Sequence, residues 1–561
     1  MRTVPVYQVI AEDLKALGVD SVFGLMSDDI CQLVATLDAI GVRFIGARHE
    51  TQAVMMASGY AAASGRLGVA LIGRGPAMAN AVHATVSASR TQQPVLIMSG
   101  DAPLQRGAHN PLGPDLKAFP AASITRACGI PTFVPTSADA ARQTFADAVA
   151  ETRGGRTAVL LLPTDVQVGY TRVDDGPDPF VRWQRDVVRE RARASSIQLA
   201  AQVLERSRRP LIVAGVGAHR AGARPAIEAL AAKTGALLIN ALKAKDLFAG
   251  HPYDLGILGS SSHSLARRLI EQVDCVVAIG VALNSLTMSS GSALPQVPLI
   301  HVDAVRQNVG RWWAADVAVI GDAMLATQQL ADAVVQRSAE DKPFHCEAVR
   351  SEIATFDHRR DFTPAHTDRT LDPRLLALEL SALLPRDRHV VYDGGNFMAN
   401  WAYVSVPDPG HFTHTLDFGS VGLGIGAAIG VARACPERTV VLFIGDGGLL
   451  MTMGELETVI REDLPIVVVA MNDAAYGAEV HILRGQDMPT AKAEFFDVDF
   501  APMVQPLGFE AHTVRTMDEL RALAPRLASP EGPLFLDCKI NANVIAPFIT
   551  EFTHRDPMRK S

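Results

Sequence analysis

The sequence is poor in the features that mark extracellular, membrane or nucleic-acid-binding chains. Its six cysteines, Cys31, Cys128, Cys275, Cys346, Cys435 and Cys538, are scattered, with no CxxC pair and no metal-ligand spacing. That pattern excludes a cysteine-ligated metal site and reads as reduced, mostly buried thiols rather than disulfides. Positive charge is not in excess: Lys and Arg total 52 against 60 Asp and Glu, a net charge of −8. No basic surface is therefore available for nucleic acid or an anionic membrane. No apolar run reaches the roughly 18 residues of a membrane span. Met1 to Asp20 carries Glu12 and Asp13 inside its first helical pattern and lacks the apolar core of a signal peptide, so a cytoplasmic location is expected. Short tandem repeats and low-complexity tracts are also missing. What remains is a 561-residue chain that is 48% hydrophobic and 20% charged. At ~100–200 residues per domain this is material for three or four cores, a soluble globular enzyme or a large scaffold.

Short apolar runs bounded by Gly, Pro or Asp alternate with amphipathic stretches, the pattern of βα units around parallel sheets. Val69–Ile72, Val95–Met98, Ala158–Leu162, Leu211–Ala214, Val276–Ile279, Val440–Ile444 and Ile466–Ala470 read as buried strands. Thr51–Ser64, Ser196–Arg206, Pro225–Thr234 and Met453–Arg461 read as helices. Two polar stretches, Tyr170 to Ser195 and Arg337 to Asp372, interrupt the rhythm as linkers. Part of the charged run Arg185–Arg193 reads equally as the first helix of the next unit. The expected fold is α/β, with three doubly wound parallel-sheet domains over 1–170, 190–335 and 370–561.

The most informative segment starts at Phe443-Ile444-Gly445-Asp446-Gly447-Gly448, at the end of one predicted strand. After the next strand it reaches Asn472-Asp473-Ala474-Ala475-Tyr476-Gly477. Acidic groups at the carboxyl ends of neighbouring parallel strands converge on one rim of the sheet. There Asp446, the Asp473 side chain and a nearby backbone carbonyl, that of Ala475, form an oxygen set suited to Mg²⁺. The glycines let the backbone approach a phosphate group. A lone Gly-Asp-Gly is equally common in ordinary turns, so the surrounding context decides.

That context, with Pro436 before the strand and Asp473 placed 473 − 446 = 27 residues after Asp446, resembles the diphosphate signature of thiamine diphosphate enzymes. At the other end of the chain, Ile45-Gly46-Ala47-Arg48-His49-Glu50, followed by Gln52 to Ala61, is similar to the pyrimidine-binding segment of the acetolactate synthase and pyruvate decarboxylase superfamily. Arg74-Gly75-Pro76-Ala77-Met78-Ala79-Asn80 resembles that family's glycine loop, and Gly215-Val216-Gly217 with His301-Val302-Asp303 resembles its central domain. Asp393-Gly394-Gly395-Asn396 and Gly419-Ser420-Val421-Gly422 resemble the start of its diphosphate domain. The resemblance implies pyrimidine, central and diphosphate domains in that order, with thiamine diphosphate and Mg²⁺ as cofactors. It implies that Glu50 bonds the aminopyrimidine and drives formation of the cofactor ylide. It implies cofactor contacts from Asp393, Gly394, Asn396, Gly419, Val421, Gly445, Asp446, Gly447, Gly448, Asp473, Ala475, Tyr476 and Gly477. It also implies a homodimer or homotetramer with active sites between chains. The Gly215/Gly217 pair alone is a weak dinucleotide fingerprint, because Arg220 stands where its third glycine would fall. The central domain is expected to be structural and empty.

Phe23 to Asp28 resembles the segment that places an aspartate in 2-oxo acid decarboxylases, and Ala108-His109-Asn110-Pro111 resembles their histidine-pair loop, with Asn110 in place of the second histidine. Glu479 lies 479 − 473 = 6 residues past Asp473, the offset of their catalytic glutamate. Proton transfer by Glu479, His109, Asp28 and Asn110 around a carbanion is the implied chemistry. Each has a plain structural alternative, a polar turn for His109 and Asn110 and a solvated helix face for Glu479. Asp473 replaces the usual asparagine, Val421 a bulkier residue and Arg74 a small one, the marks of a divergent member. The expected activity is non-oxidative decarboxylation of a 2-oxo acid through a C2-carbanion/enamine intermediate. The alternatives are an acetolactate synthase-like carboligase, a 2-hydroxyacyl-CoA lyase acting on acyl-CoA substrates, and a non-catalytic regulatory subunit.

Overall fold

The computed structural model describes residues 2–104, 115–173, 179–180, 188–338 and 340–554. Three six-stranded sheets, all parallel within themselves, carry the chain. The first runs in the order Arg43–Gly46, Ser21–Gly24, Gly68–Ile72, Val95–Asp101, Thr157–Pro163, Thr132–Phe133. The third runs Phe412–His414, Arg388–Tyr392, Thr439–Gly445, Ile466–Asn472, Leu534–Lys539, Glu510–Val514. Numbered within each sheet, both orders are 2-1-3-4-6-5, so the two share one topology although no repeat is legible in the sequence. The middle sheet, from Asp254–Ile257 to Val317–Ile320, has the different order 3-2-1-4-5-6 of dinucleotide-binding folds. Its strands are apolar runs buried on both faces, as parallel strands covered by helices must be.

In each 2-1-3-4-6-5 unit, the first long helix after strand 2 has the same place: Glu50–Ser64 in the first and Gly424–Ala434 in the third. These two helices pack on each other and carry many small residues. A Cβ added at Gly430 would run into the Met56 carbonyl, and one at Gly59 into that of Ala427. One apolar cluster consequently runs from Ile45, Ile97 and Val159 of the first sheet, through Met56, Tyr60 and Ala427, to Leu442 and Val468 of the third.

Several expectations are corrected. Tyr170–Val173, read as the start of a linker, pairs antiparallel with Arg2–Pro5. In the charged run Arg185–Arg193, the described residues 188–193 carry no helix. The helix starts at Ala194, after an extended Arg193. The stretch Arg337–Asp372 is no bare linker: it forms the helix Glu347–Ala354, buries Phe344 in the middle core and stacks His345 on Tyr253 at 3.8 Å. All six cysteines are unpaired, but Cys31, Cys128 and Cys346 are exposed, so the thiols are not mostly buried. Gly215 and Gly217 are packed against the backbone of Gly280 and close the turn on itself. No helix among the described residues is long and apolar enough to cross a membrane.

Candidate active site

The third sheet aligns the carboxyl ends of three neighbouring strands. Tyr392 is paired with Phe443, Gly445 with Met471, and Asn472 with Lys539, so Asp393, Asp446 and Asp473 emerge along one edge. The order reverses between strands 1 and 3, where an open α/β sheet leaves a crevice beyond its strand ends. A cavity of about 220 Å³ lies there, and Asp446, Asp473, Val421, Asn396, Glu479 and Phe548 are among its walls.

Asp393 is buried, and its carboxylate accepts from Thr415 Oγ1 at 2.8 Å, from the Gly422 amide at 2.6 Å and from the Leu423 amide at 3.2 Å. It therefore folds the loop that carries Gly419 and Val421, and its oxygens are already committed. Burial raises its pKa. Gly394 and Gly448 pack closely here: a Cβ at Gly448 would stand 2.7 Å from Asp393 Oδ2, and one at Gly394 2.6 Å from the Ser420 carbonyl. Gly447 lies under the Tyr476 ring, which is itself held edge-on to Phe495 at 4.5 Å. Asn396 is committed as well, donating from Nδ2 to the Val544 carbonyl at 2.8 Å and accepting the Ala546 amide on Oδ1 at 2.9 Å. It ties the C-terminal segment to the crevice.

Asp446 and Asp473 face each other across this floor. Asp446 Oδ2 accepts the Ala475 amide at 3.1 Å, and left-handed Ala474 shapes the turn into Tyr476 and Gly477. The preceding Asn472 turns away, donating to Asp537 and to the Val498 carbonyl. Burial pushes Asp446 up to about 6. Burial, and then the charge of Asp446, raise Asp473 well above the carboxylate range. Among the described residues no cationic side chain pairs with either. Two juxtaposed carboxylates with no counter-charge among the described residues, on the wall of an open crevice, fit a divalent cation with a diphosphate.

Glu50 opens its helix with only 8% of its surface exposed, and its Oε2 accepts from Asn80 Nδ2 at 3.0 Å. It does not line the Asp446 crevice within the single chain. Its helix nevertheless reaches the third unit, because Gln52 Nε2 donates to the Gly422 carbonyl at 2.8 Å and Gln52 Oε1 accepts the Gly426 amide at 3.0 Å. Glu455 fixes the approach: its Oε1 accepts the Arg48 and His49 amides at 2.7 and 3.0 Å, and burial raises its pKa. Sequence reasoning missed both contacts, and the one available signal was an acid within the apolar pattern of the Glu455–Arg461 helix. Glu479 lies in the first turn of the Gly477–Arg484 helix, exposed, and lines the crevice without a partner among the described residues. Asp28, like Glu50, does not line that crevice within the single chain. Its side chain is 77% exposed and paired with Lys117, whose ammonium holds the carboxyl down to about 2. His109 and Asn110 lie outside the described residues.

Three models match the chain in succession: residues 5–121 the thiamine pyrophosphate enzyme N-terminal TPP binding domain, 197–330 the central domain, and 393–538 the C-terminal TPP binding domain. The large subunit of acetolactate synthase isozyme 2 of Escherichia coli K12 is 26% identical over 546 residues, covering 95% of each chain. Sulfoacetaldehyde acetyltransferase of Castellaniella defragrans is 28% identical over 507 residues, covering 84% of this chain and 81% of that one. An X-ray structure of a candidate thiamin diphosphate-dependent enzyme from Mycobacterium smegmatis shares the fold, with a TM-score of 0.77 at 21% identity, over 96% of this chain and all of that one.

Proposed function

We propose that this chain, which belongs to the thiamine pyrophosphate enzymes, is a thiamine diphosphate- and Mg²⁺-dependent lyase that releases CO₂ from a 2-oxo acid without oxidising it. The observation that carries the reading is Glu479, an unpaired acid on the wall of the crevice whose floor is Asp446 and Asp473. Bound thiamine diphosphate supplies an electron sink for the carbon–carbon bond beside a keto group, and Mg²⁺ neutralises its diphosphate. Asp446, Asp473 and the Ala475 carbonyl would hold the cation, with Gly445, Gly447 and Gly448 presenting backbone to the phosphates and Gly394, Gly419, Val421, Tyr476 and Gly477 lining the cradle. Asp393 and Asn396 position that cradle from behind. Glu50, fixed by Asn80, offers the carboxylate that holds a proton on the cofactor's pyrimidine nitrogen. Glu479 delivers a proton from its carboxyl to the carbon that has lost CO₂.

The same reading keeps the division into 1–170, 190–335 and 370–561, supported by one six-stranded sheet in each. It also makes the active form a homodimer or homotetramer, in which Glu50 of one chain completes the crevice of another. The absence of Glu50 from its own chain's crevice supports this, as do the exposed apolar Leu450 and Met451 on the helix after Asp446. A monomer in light scattering at micromolar concentration would count against it. Addition of the carbanion to a second carbonyl, as in a carboligase, is the second reading, favoured by the acetolactate synthase relative. The test is CO₂ release from a panel of 2-oxo acids with thiamine diphosphate and Mg²⁺, beside Glu50→Gln. Release that the variant loses, with the aldehyde as product, supports the lyase, and release seen only when a second carbonyl compound is added supports the carboligase.

A further inference from the structure

A cavity of about 440 Å³ adjoins the crevice and shares Asn396 and Phe397 with it. The Phe397 ring lies close under Gly445, and it forms the partition between the two spaces. The cavity is built by the Ser260–Ser264 loop of the middle unit, the segment around His358–Phe362 and the C-terminal residues Val544–Pro547. Its charge is one-sided. Arg267 is held in place by the Ser262 and Ser260 carbonyls, accepting from Nε at 3.0 Å and Nη2 at 3.2 Å, and has no carboxylate partner among the described residues. Arg360 has no side-chain partner among the described residues. Arg374 is matched by Asp372 at 3.0 and 2.7 Å. Asp361, the one acidic residue among the described lining, already accepts the Ser264 amide at 2.9 Å and the Ser264 hydroxyl. Asn400, almost fully buried on the same wall, has an Nδ2 with no acceptor. In a chain of net charge −8, two guanidiniums without a carboxylate partner among the described residues line one space beside the crevice. Donors so placed want an anionic acceptor, and guanidinium forks suit carboxylate, sulfonate or phosphate.

We infer that this cavity holds the far end of the substrate, and that this end is anionic: the preferred substrate is a 2-oxo acid with a second acidic group, bound by Arg267 and Arg360. The inference rests on the 2-oxo acid reading above, and it names which acid. Phe397 and the Val544–Pro547 segment then form the neck between the keto group and the anionic tail.

Two measurements on the protein loaded with thiamine diphosphate and Mg²⁺ test it. The first compares kcat/KM for CO₂ release from 2-oxo dicarboxylates of increasing length, and from 2-oxo acids bearing a terminal sulfonate or phosphate, with the values for neutral 2-oxo acids of equal length. It does so in the wild type, in Arg360→Gln, whose surface position spares the fold, and in Arg267→Gln. The acidic-to-neutral ratio should exceed one in the wild type and fall by roughly tenfold or more in each variant, mainly through KM, as expected for loss of a charge-assisted hydrogen bond. The second is calorimetric binding of glutarate, an unreactive dicarboxylate, which should weaken by a similar factor in both variants. A wild type that prefers neutral acids, a ratio unmoved by both substitutions, or no glutarate binding would overturn the inference. Silence on every 2-oxo acid, with glutarate binding that both variants lose, would leave the anion site standing and remove the decarboxylation reading instead.

Discussion

Replacing Asp446 by asparagine should stabilise the metal-free protein at neutral pH while abolishing its response to Mg²⁺ and thiamine diphosphate. Burial carries the Asp446 carboxyl from 3.8 to about 6. A group whose pKa is raised on folding contributes its full stability below its unfolded value, near pH 4, and loses that contribution as pH rises through about 6. At ~1.4 kcal/mol for each tenfold change in proton affinity, the metal-free protein is less stable by up to about 3 kcal/mol at pH 7.5 than the same contacts without this titration would make it. The amide of Asn keeps an oxygen for the Ala475 N–H, so Asp446→Asn removes the titrating charge and little else. For a unit of this size, about 3 kcal/mol corresponds to roughly 6–12 °C in the melting of the C-terminal unit. The assay is thermal unfolding in EDTA at pH 4.5 and pH 7.5, repeated with Mg²⁺ and thiamine diphosphate. The variant should gain at pH 7.5, gain little at pH 4.5, and show none of the wild type's ligand-induced rise. A variant that melts below the wild type in EDTA at pH 7.5, or that gains equally at both pH values, would refute the argument that this pair awaits a cation.

Three further outcomes follow from the same geometry. Gly430→Ala, which drives a methyl into the Met56 carbonyl, should cost about 1–3 kcal/mol or more in denaturant unfolding, as over-packing does, whereas Gly65→Ala, at an open position, tests only backbone strain and should cost less. Asp393→Ala strands the Gly422 and Leu423 amides and the Thr415 hydroxyl. It should lower stability by about 1–3 kcal/mol and weaken thiamine diphosphate binding in calorimetry, since the Val421 loop loses its anchor. Glu50→Gln should cut CO₂ release by about 100-fold or more while leaving thiamine diphosphate bound. Full activity in that variant would remove Glu50 from the chemistry.

Much of the C-terminal site was legible because its residues follow strands whose apolar runs are unmistakable. Asp446 and Asp473 each stand one residue beyond the strand built on such a run, and parallel pairing leaves them on one edge. What each side chain is already spending itself on was not legible. Asp393 and Asn396 read as cofactor contacts, yet their polar atoms are occupied by a loop and by the C-terminal segment, partners 22 to 150 residues away in sequence. The Glu455 contact with the Arg48 and His49 amides was hidden for the same reason, with a separation of more than 400 residues. Asp28, like Glu50, lies outside the crevice of its own chain, and its pairing with Lys117, 89 residues away in sequence, was equally hidden. The helical reading within Arg185–Arg193 failed over residues 188–193, which run extended up to Arg193.

The shared strand order puts two chemically different turns after strand 3 of the first and third units. In the first the chain passes through Gly73-Arg74-Gly75 before its helix begins at Pro76, and in the third it passes from Gly445 directly into a helix that begins at Asp446. One turn carries a base and the other an acid. Arg74 spends its guanidinium on Asp115 in a bidentate pair at 2.7 and 3.1 Å, and its amide donates to Asp29, which lies in the loop that leaves strand 1. The first unit thus meets the carboxylates around its turn with its own arginine, while the third leaves Asp446 and Asp473 without a cationic side chain among the described residues. One layout is closed on itself and the other is left a charge to fill.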